Sequence, residues 1–84
     1  MPTFIDYHER LPEMPRQAMD EIAGRIRAGE PDEFGVKGVN VFLAKDGRAY
    51  CLSEAPSADA VVASHRAHGV PLEDHEVLEV TSVV

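Results

Sequence analysis

Cysteine is nearly missing from this chain, and tryptophan, clustered basic residues and long apolar runs are missing altogether. Each lack closes off a class of function. The one cysteine, Cys51, cannot form an internal disulfide, so no disulfide framework supports the fold. Lys and Arg number 8 against 15 Asp and Glu, for a net charge of -7. Nucleic acid is held by clustered cations, and the closest approach to a cluster is Arg25 with Arg27. That argues against a nucleic-acid partner. No stretch approaches the roughly 20 apolar residues of a membrane helix. The opening Met1-Pro2-Thr3-Phe4 has neither the basic start nor the apolar run of a secretory leader, so cytoplasmic residence is the expectation. No repeat or linker breaks the chain, and CxxC and HExxH motifs are absent.

What is present suits one small domain, residues 1–84. The hydrophobic share of 44% and the charged share of 27% are those of an ordinary globular protein. A chain of 84 residues has one core of limited size. Support from a partner subunit or a metal would therefore be in keeping.

Thr3 to His8 alternates and is rich in strand formers, with Ile5 and Tyr7 on one face and Phe4, Asp6 and His8 on the other. Leu11-Pro12-Glu13-Met14-Pro15 reads as a helix opening. Met19, Ile22, Ala23 and Ile26 follow at i, i+3, i+4 and i+7, the stripe of an amphipathic helix, until Gly29 and Pro31 stop it. After a loop from Glu30 to about Lys37, Val39 to Ala44 reads as a second strand. Asp46-Gly47 signals a tight type I′ hairpin turn into a third strand, Ala49 to Glu54. Ser57 is placed to cap a second helix whose stripe is Ala58, Val61, Val62 and His65. Gly69 and Pro71 end that helix, and His75 to Val84 supplies a fourth strand.

The order β-α-β-β-α-β predicts an α+β, ferredoxin-like fold: an antiparallel sheet with both helices on one face and strand one between strands three and four. Strand one carries Phe4 on one face and Ile5 on the other, so neither face is built for water. A homodimer is the expectation.

Chain direction brings the chemistry-bearing residues together. His8 closes strand one at its upper end, Cys51 lies near the upper end of strand three, and His65 and His68 occupy the last turn of the second helix. His75 opens strand four beside the end of strand one. Imidazole suits nickel, copper, zinc and cobalt, and a thiolate or carboxylate adds charge. His65 and His68 share a helix face, and Asp6 and His8 share a strand face. The candidate metal ligands are Asp6, His8, Cys51, His65, His68 and His75. Each also has a plain structural role open to it. His65 can be a packed core histidine, His68 a cation at a helix C-terminus, and Cys51 a small buried hydrophobe. His75 can be a solvated loop residue and Asp6 a simple hydrogen-bonding partner. Convergence carries the metal reading, and no single residue does.

Phe4-x-Asp6-x-His8, the run Tyr50-Cys51-Leu52-Ser53-Glu54-Ala55-Pro56-Ser57-Ala58-Asp59-Ala60-Val61, then His65 and Gly69-x-Pro71 resemble a family of small bacterial ferredoxin-like proteins. That family, long catalogued as a domain of unknown function, includes actinobacterial nickel-binding, nickel-responsive members. The resemblance implies a homodimer that binds nickel through histidines and acidic or thiol groups, for sequestration or detoxification and without catalysis. The positions matching its motifs are Asp6, His8, Cys51 and His65, while His68 and His75 follow from topology alone.

Two rival readings stand beside it. Dimeric ferredoxin-like domains of this size include small monooxygenases and isomerases, in which His8, His65 or Tyr50 would serve as general acid or base. A plain interaction domain with incidental histidines is the other.

Overall fold

The alternation at the start of the chain becomes a strand, β1 (Thr3–His8), with Phe4, Asp6 and His8 buried on one face. This computed structural model describes all residues from Met1 to Val84. After β1 come α1 (Arg16–Ala28), β2 (Lys37–Leu43), β3 (Ala49–Glu54), α2 (Ala58–Ala67), a 3-10 turn (Asp74–Glu76) and β4 (Val77–Val80). The sheet runs β2-β3-β1-β4, and every neighbouring pair is antiparallel. Strand one is flanked by strands three and four, as the ferredoxin-like order requires.

Four local boundaries differ from the sequence expectation, each for a physical reason. Helix α1 begins only at Arg16, with Pro15 in extended backbone as its N-cap. Pro12 and Pro15 disfavour helical backbone at the residues before them, so the Leu11–Pro15 segment stays out of the helix. Strand β2 starts earlier, at Lys37, because that residue pairs with Glu54, and a bulge between Gly38 and Asn40 absorbs the extra residue. The hairpin turn is not type I′. That turn needs positive φ at both central residues, and only Gly47 has it, at 96°. Instead the Gly47 N–H donates to Ala44 O and the Ala44 N–H to Arg48 O, while the Asp46 carboxylate accepts the Arg48 N–H. At the C-terminal end, β4 is only Val77–Val80. Its predicted start is taken by the 3-10 turn, where the Glu76 carboxylate accepts the Glu73 N–H at 2.8 Å. Its predicted end has no strand to pair with, since Val80 already lies opposite Thr3.

Helix α2 behaves as its sequence foretells, with Ser57 Oγ accepting the Ala60 N–H at 3.1 Å. Val61 and Val62 of α2 join Phe4, Val36, Ala55, Leu72 and Val77 in the buried core. This core lies wholly on the α2 side of the sheet. Helix α1 contributes nothing to it, for none of its 13 residues is buried. A cleft therefore opens between α1 and the rest of the fold, although Ile26 of α1 packs over Gly38 of β2.

The opposite face of the sheet carries no helix. Register places Ile5 beside Leu52 and Leu78, Tyr7 beside Tyr50, and Tyr50 beside Phe42. Phe42, Tyr50 and Leu78 are exposed there. The Tyr7 and Tyr50 rings sit 5.4 Å apart, an aromatic pair at ordinary spacing.

Candidate metal centre

Three elements on the helix-facing side of the sheet meet at the boundary between core and cleft. Strand β1 directs Asp6 and His8 inward because both fall on the buried phase of its alternation. Pairing with β3 sets Cys51 opposite Asp6. Helix α2 brings His65 down onto this cluster from above. One ligating atom from each of Asp6, His8, Cys51 and His65 lies within 4.8 Å of every other.

The contacts within the group are close. His8 Nε2 is 2.5 Å and His65 Nε2 is 3.2 Å from the same oxygen, Asp6 Oδ2. Cys51 Sγ is 3.6 Å from His8 Nε2. The His8 and His65 rings stack with centroids 5.2 Å apart. Asp6 is 1% and His8 4% exposed, so charge here is shielded from water and its partners decide its energy. Asp6 Oδ1 is buried with no hydrogen-bond partner. A buried carboxylate oxygen left bare is costly, and it calls for something to satisfy it.

Protons fill the site in the metal-free chain. His65 Nδ1 donates to the Val61 carbonyl oxygen at 2.8 Å, since that oxygen can only accept. With Nδ1 committed, Nε2 faces Asp6 either as N–H or as a bare lone pair for a metal. Burial alone lowers the His65 pKa, but the hydrogen bond and charge of Asp6 outweigh it and raise the pKa above 6.5. Burial works to raise the Asp6 carboxyl pKa, and the hydrogen bonds from His65 and His8 bring it below 3.8. Burial, with the Asp6 charge beside it, pushes the Cys51 thiol up to about 12. Metal-free, the cluster thus favours an Asp6 carboxylate, a His65 that holds its proton more tightly than a free imidazole, and a neutral thiol.

The donor set fits a borderline divalent ion. Two imidazoles, a carboxylate and a sulfur are ligands that nickel, zinc and cobalt accept. Tetrahedral coordination at about 2.0–2.3 Å spaces its donors by roughly 3.3–3.8 Å, so seating an ion would part His8 from Asp6, now 2.5 Å apart, and draw in the wider pairs of a group already within 4.8 Å. Of the six candidates from sequence, the structure brings four into this group. His68 lies outside it, exposed, with Nε2 3.5 Å from Glu33 Oε1. His75 sits exposed in the 3-10 turn. Tyr50 is on the other face of the sheet, away from His8 and His65, which separates the residues an acid–base enzyme would have shared.

The match to known proteins agrees with this donor set. Residues 4–80 match the model of the family described as nickel responsive protein SCO4226-like. The chain belongs to the SCO4226-like, nickel-responsive family. Its members are described by response to nickel and not by catalysis, in line with the expectation that the chain is no enzyme. The crystal structure of SCO4226 from Streptomyces coelicolor A3(2) superposes with a TM-score of 0.68 at 29% identity, over 98% of this chain and 99% of that one. No curated protein matches the chain.

Two residues of this SCO4226-like chain support the site without having been singled out from sequence. Asp32 Oδ1 accepts the Phe34 N–H at 2.9 Å and the Val36 N–H at 3.0 Å. Its Oδ2 accepts from Ser64 Oγ, the residue just before His65. The 30–37 loop is thereby pinned to α2 at the turn that carries His65. Pro31-Asp32-Glu33-Phe34-Gly35 is a turn signature of the Asx kind, so Asp32 was legible as a turn former. Its reach to Ser64 was not.

Proposed function

We propose that this protein binds nickel through Asp6, His8, Cys51 and His65 and serves to sequester or detoxify the metal, acting as a homodimer. The observation that carries the reading is the buried, unpartnered Asp6 Oδ1 among two imidazoles and a thiol held within one ion's reach. Each protein group has a distinct part. Asp6 supplies charge, and its Oδ2 holds both histidines in place until an ion takes that position. His65 is oriented by Val61, which leaves Nε2 as its ligating atom. Cys51 can give a thiolate only when a metal offsets the burial that keeps its proton on. The nickel response attached to the family and the SCO4226 likeness support the choice of metal.

Calorimetric titration of the metal-free chain with nickel tests this. Binding tighter than about millimolar is expected for the native chain. Asp6→Asn should weaken it by at least about 100-fold, because loss of an outer-shell partner alone typically costs roughly 10–100-fold. His68→Ala and His75→Ala should leave affinity near the native value. No binding by the native chain, or equal loss in all three variants, would remove the assignment.

A further inference from the structure

The cleft between α1 and the sheet is a second place where this fold has left chemistry unsatisfied. It measures about 730 Å³, within the usual range for small-molecule sites. Met14, just before α1, and Ala18, Met19 and Ile22 of α1 line it together with Val39 and Val41 of β2. No Phe, Tyr or Trp lines it, so the apolar part of its wall, 14 of 25 lining residues, is flexible or branched aliphatic. Its inner end is different. Ser53, on β3 two residues beyond Cys51 and on the same face, is 3% exposed, yet its Oγ has no hydrogen-bond partner. Ser64 and Asp32 border the same end. The Asp32 carboxylate is half-buried, whereas Arg25 and Arg27 on the α1 rim are exposed.

From this geometry we infer that the α1 cleft is a binding site for a small aliphatic molecule with one neutral, hydrogen-bonding head, its chain along α1 and its head at Ser53. The occupant's polarity follows from the two ends. An apolar body removes the α1 stripe from water, which the core does not do. A hydroxyl head can both donate and accept, which completes the bare Ser53 Oγ. A carboxylate head would meet the Asp32 charge at the inner end and pay for desolvation there, because the bordering His65 is already paired with Asp6 and Arg25 and Arg27 stand at the exposed rim. Asp6 and His8 do not line this cleft, so the site is separate from the metal ligands except at its Cys51 and His65 border.

The test is a nuclear magnetic resonance titration of the metal-free full-length chain with 1-octanol, and with octanoate as the charged control. Expected are saturable shifts in the amides of α1, β2 and Ser53, with octanoate at least about tenfold weaker. Ala18→Phe fills the cleft and should weaken octanol by about tenfold or more while nickel affinity stays unchanged. Ser53→Ala, which removes an unpartnered hydroxyl and spares the fold, should also weaken octanol. Absence of saturable shifts, equal binding of octanoate, or native octanol binding in both variants would overturn the proposal. So would sedimentation showing that a second copy fills the cleft, with Ala18→Phe converting a native dimer to monomer. Loss of nickel binding in the native chain would refute the metal reading and leave this one standing.

Discussion

At the scale of single residues, Asp6 is the hinge of the site's electrostatics. One carboxylate oxygen receives both histidines, and that sharing moves pKa values in opposite directions. His65 is raised above 6.5, so the folded state holds its proton more tightly than the unfolded chain. Its stabilisation is complete below pH 6.5 and is lost as pH rises through the folded pKa. Asp6 is lowered beneath 3.8, so its stabilisation is present above that value and is lost as pH falls through its folded pKa. Metal-free stability should therefore be greatest between these limits and decline toward alkaline pH. Urea unfolding across this range checks it. His65→Gln should flatten the decline above pH 6.5, and a native protein whose stability is already flat there would disprove the Asp6–His65 pairing. The types and phases of Asp6 and His8 were readable from strand alternation alone. That both would bind one oxygen was not, because side-chain distances depend on how α2 is seated over β1.

At the scale of elements, the two helices hold the sheet by unequal means. Helix α2 presses Val61 and Val62 into the core, while α1 rests on β2 with its apolar stripe half-covered. Its closest seat is at Gly38, where an added Cβ would come within 2.9 Å of Ile26 Cγ1. Gly38→Ala should push α1 off β2 and cost about 1–3 kcal/mol, the usual range for overpacking. Chemical denaturation measures the loss, and hydrogen exchange should locate it in α1 with α2 unaffected. A neutral substitution would mean that α1 is free to move over β2. These elements show why the chain's pattern was mostly legible and where it was not. Apolar spacing marked both helices and four strands because burial imposes it. Proline backbone limits, a bulge beside Gly38 and the Glu73–Glu76 contact moved the boundaries. None of these leaves a periodic trace. The stripe on α1 looked like that of α2, yet only one of them ends in a core, because stripe spacing does not say how closely a helix packs.

At the scale of the whole molecule, the thin core sets the strongest demand. Only 12 of 84 residues are buried, so the folded chain hides little apolar surface and gains from a partner. The helix-free face of the sheet offers the contact. Phe42, Tyr50 and Leu78 lie exposed on it with Ile5, Tyr7 and Leu52 between them, an apolar band across four strands. Two such faces packed together by a twofold axis would place identical bands in register, as in paired sheets about 10 Å apart. The metal ligands, on the opposite face, would stay clear of that contact. Leu78→Asp puts a charge on the band at its β4 edge without touching the core, since Leu78 is 63% exposed. The native chain should sediment as a dimer at concentrations on the order of 100 µM, and the variant as a folded monomer. Nickel affinity in the variant should match the native value if each copy holds its own ion. A native monomer at that concentration would rule out the sheet-face dimer, and a variant that loses nickel as well would place part of the metal site across the interface.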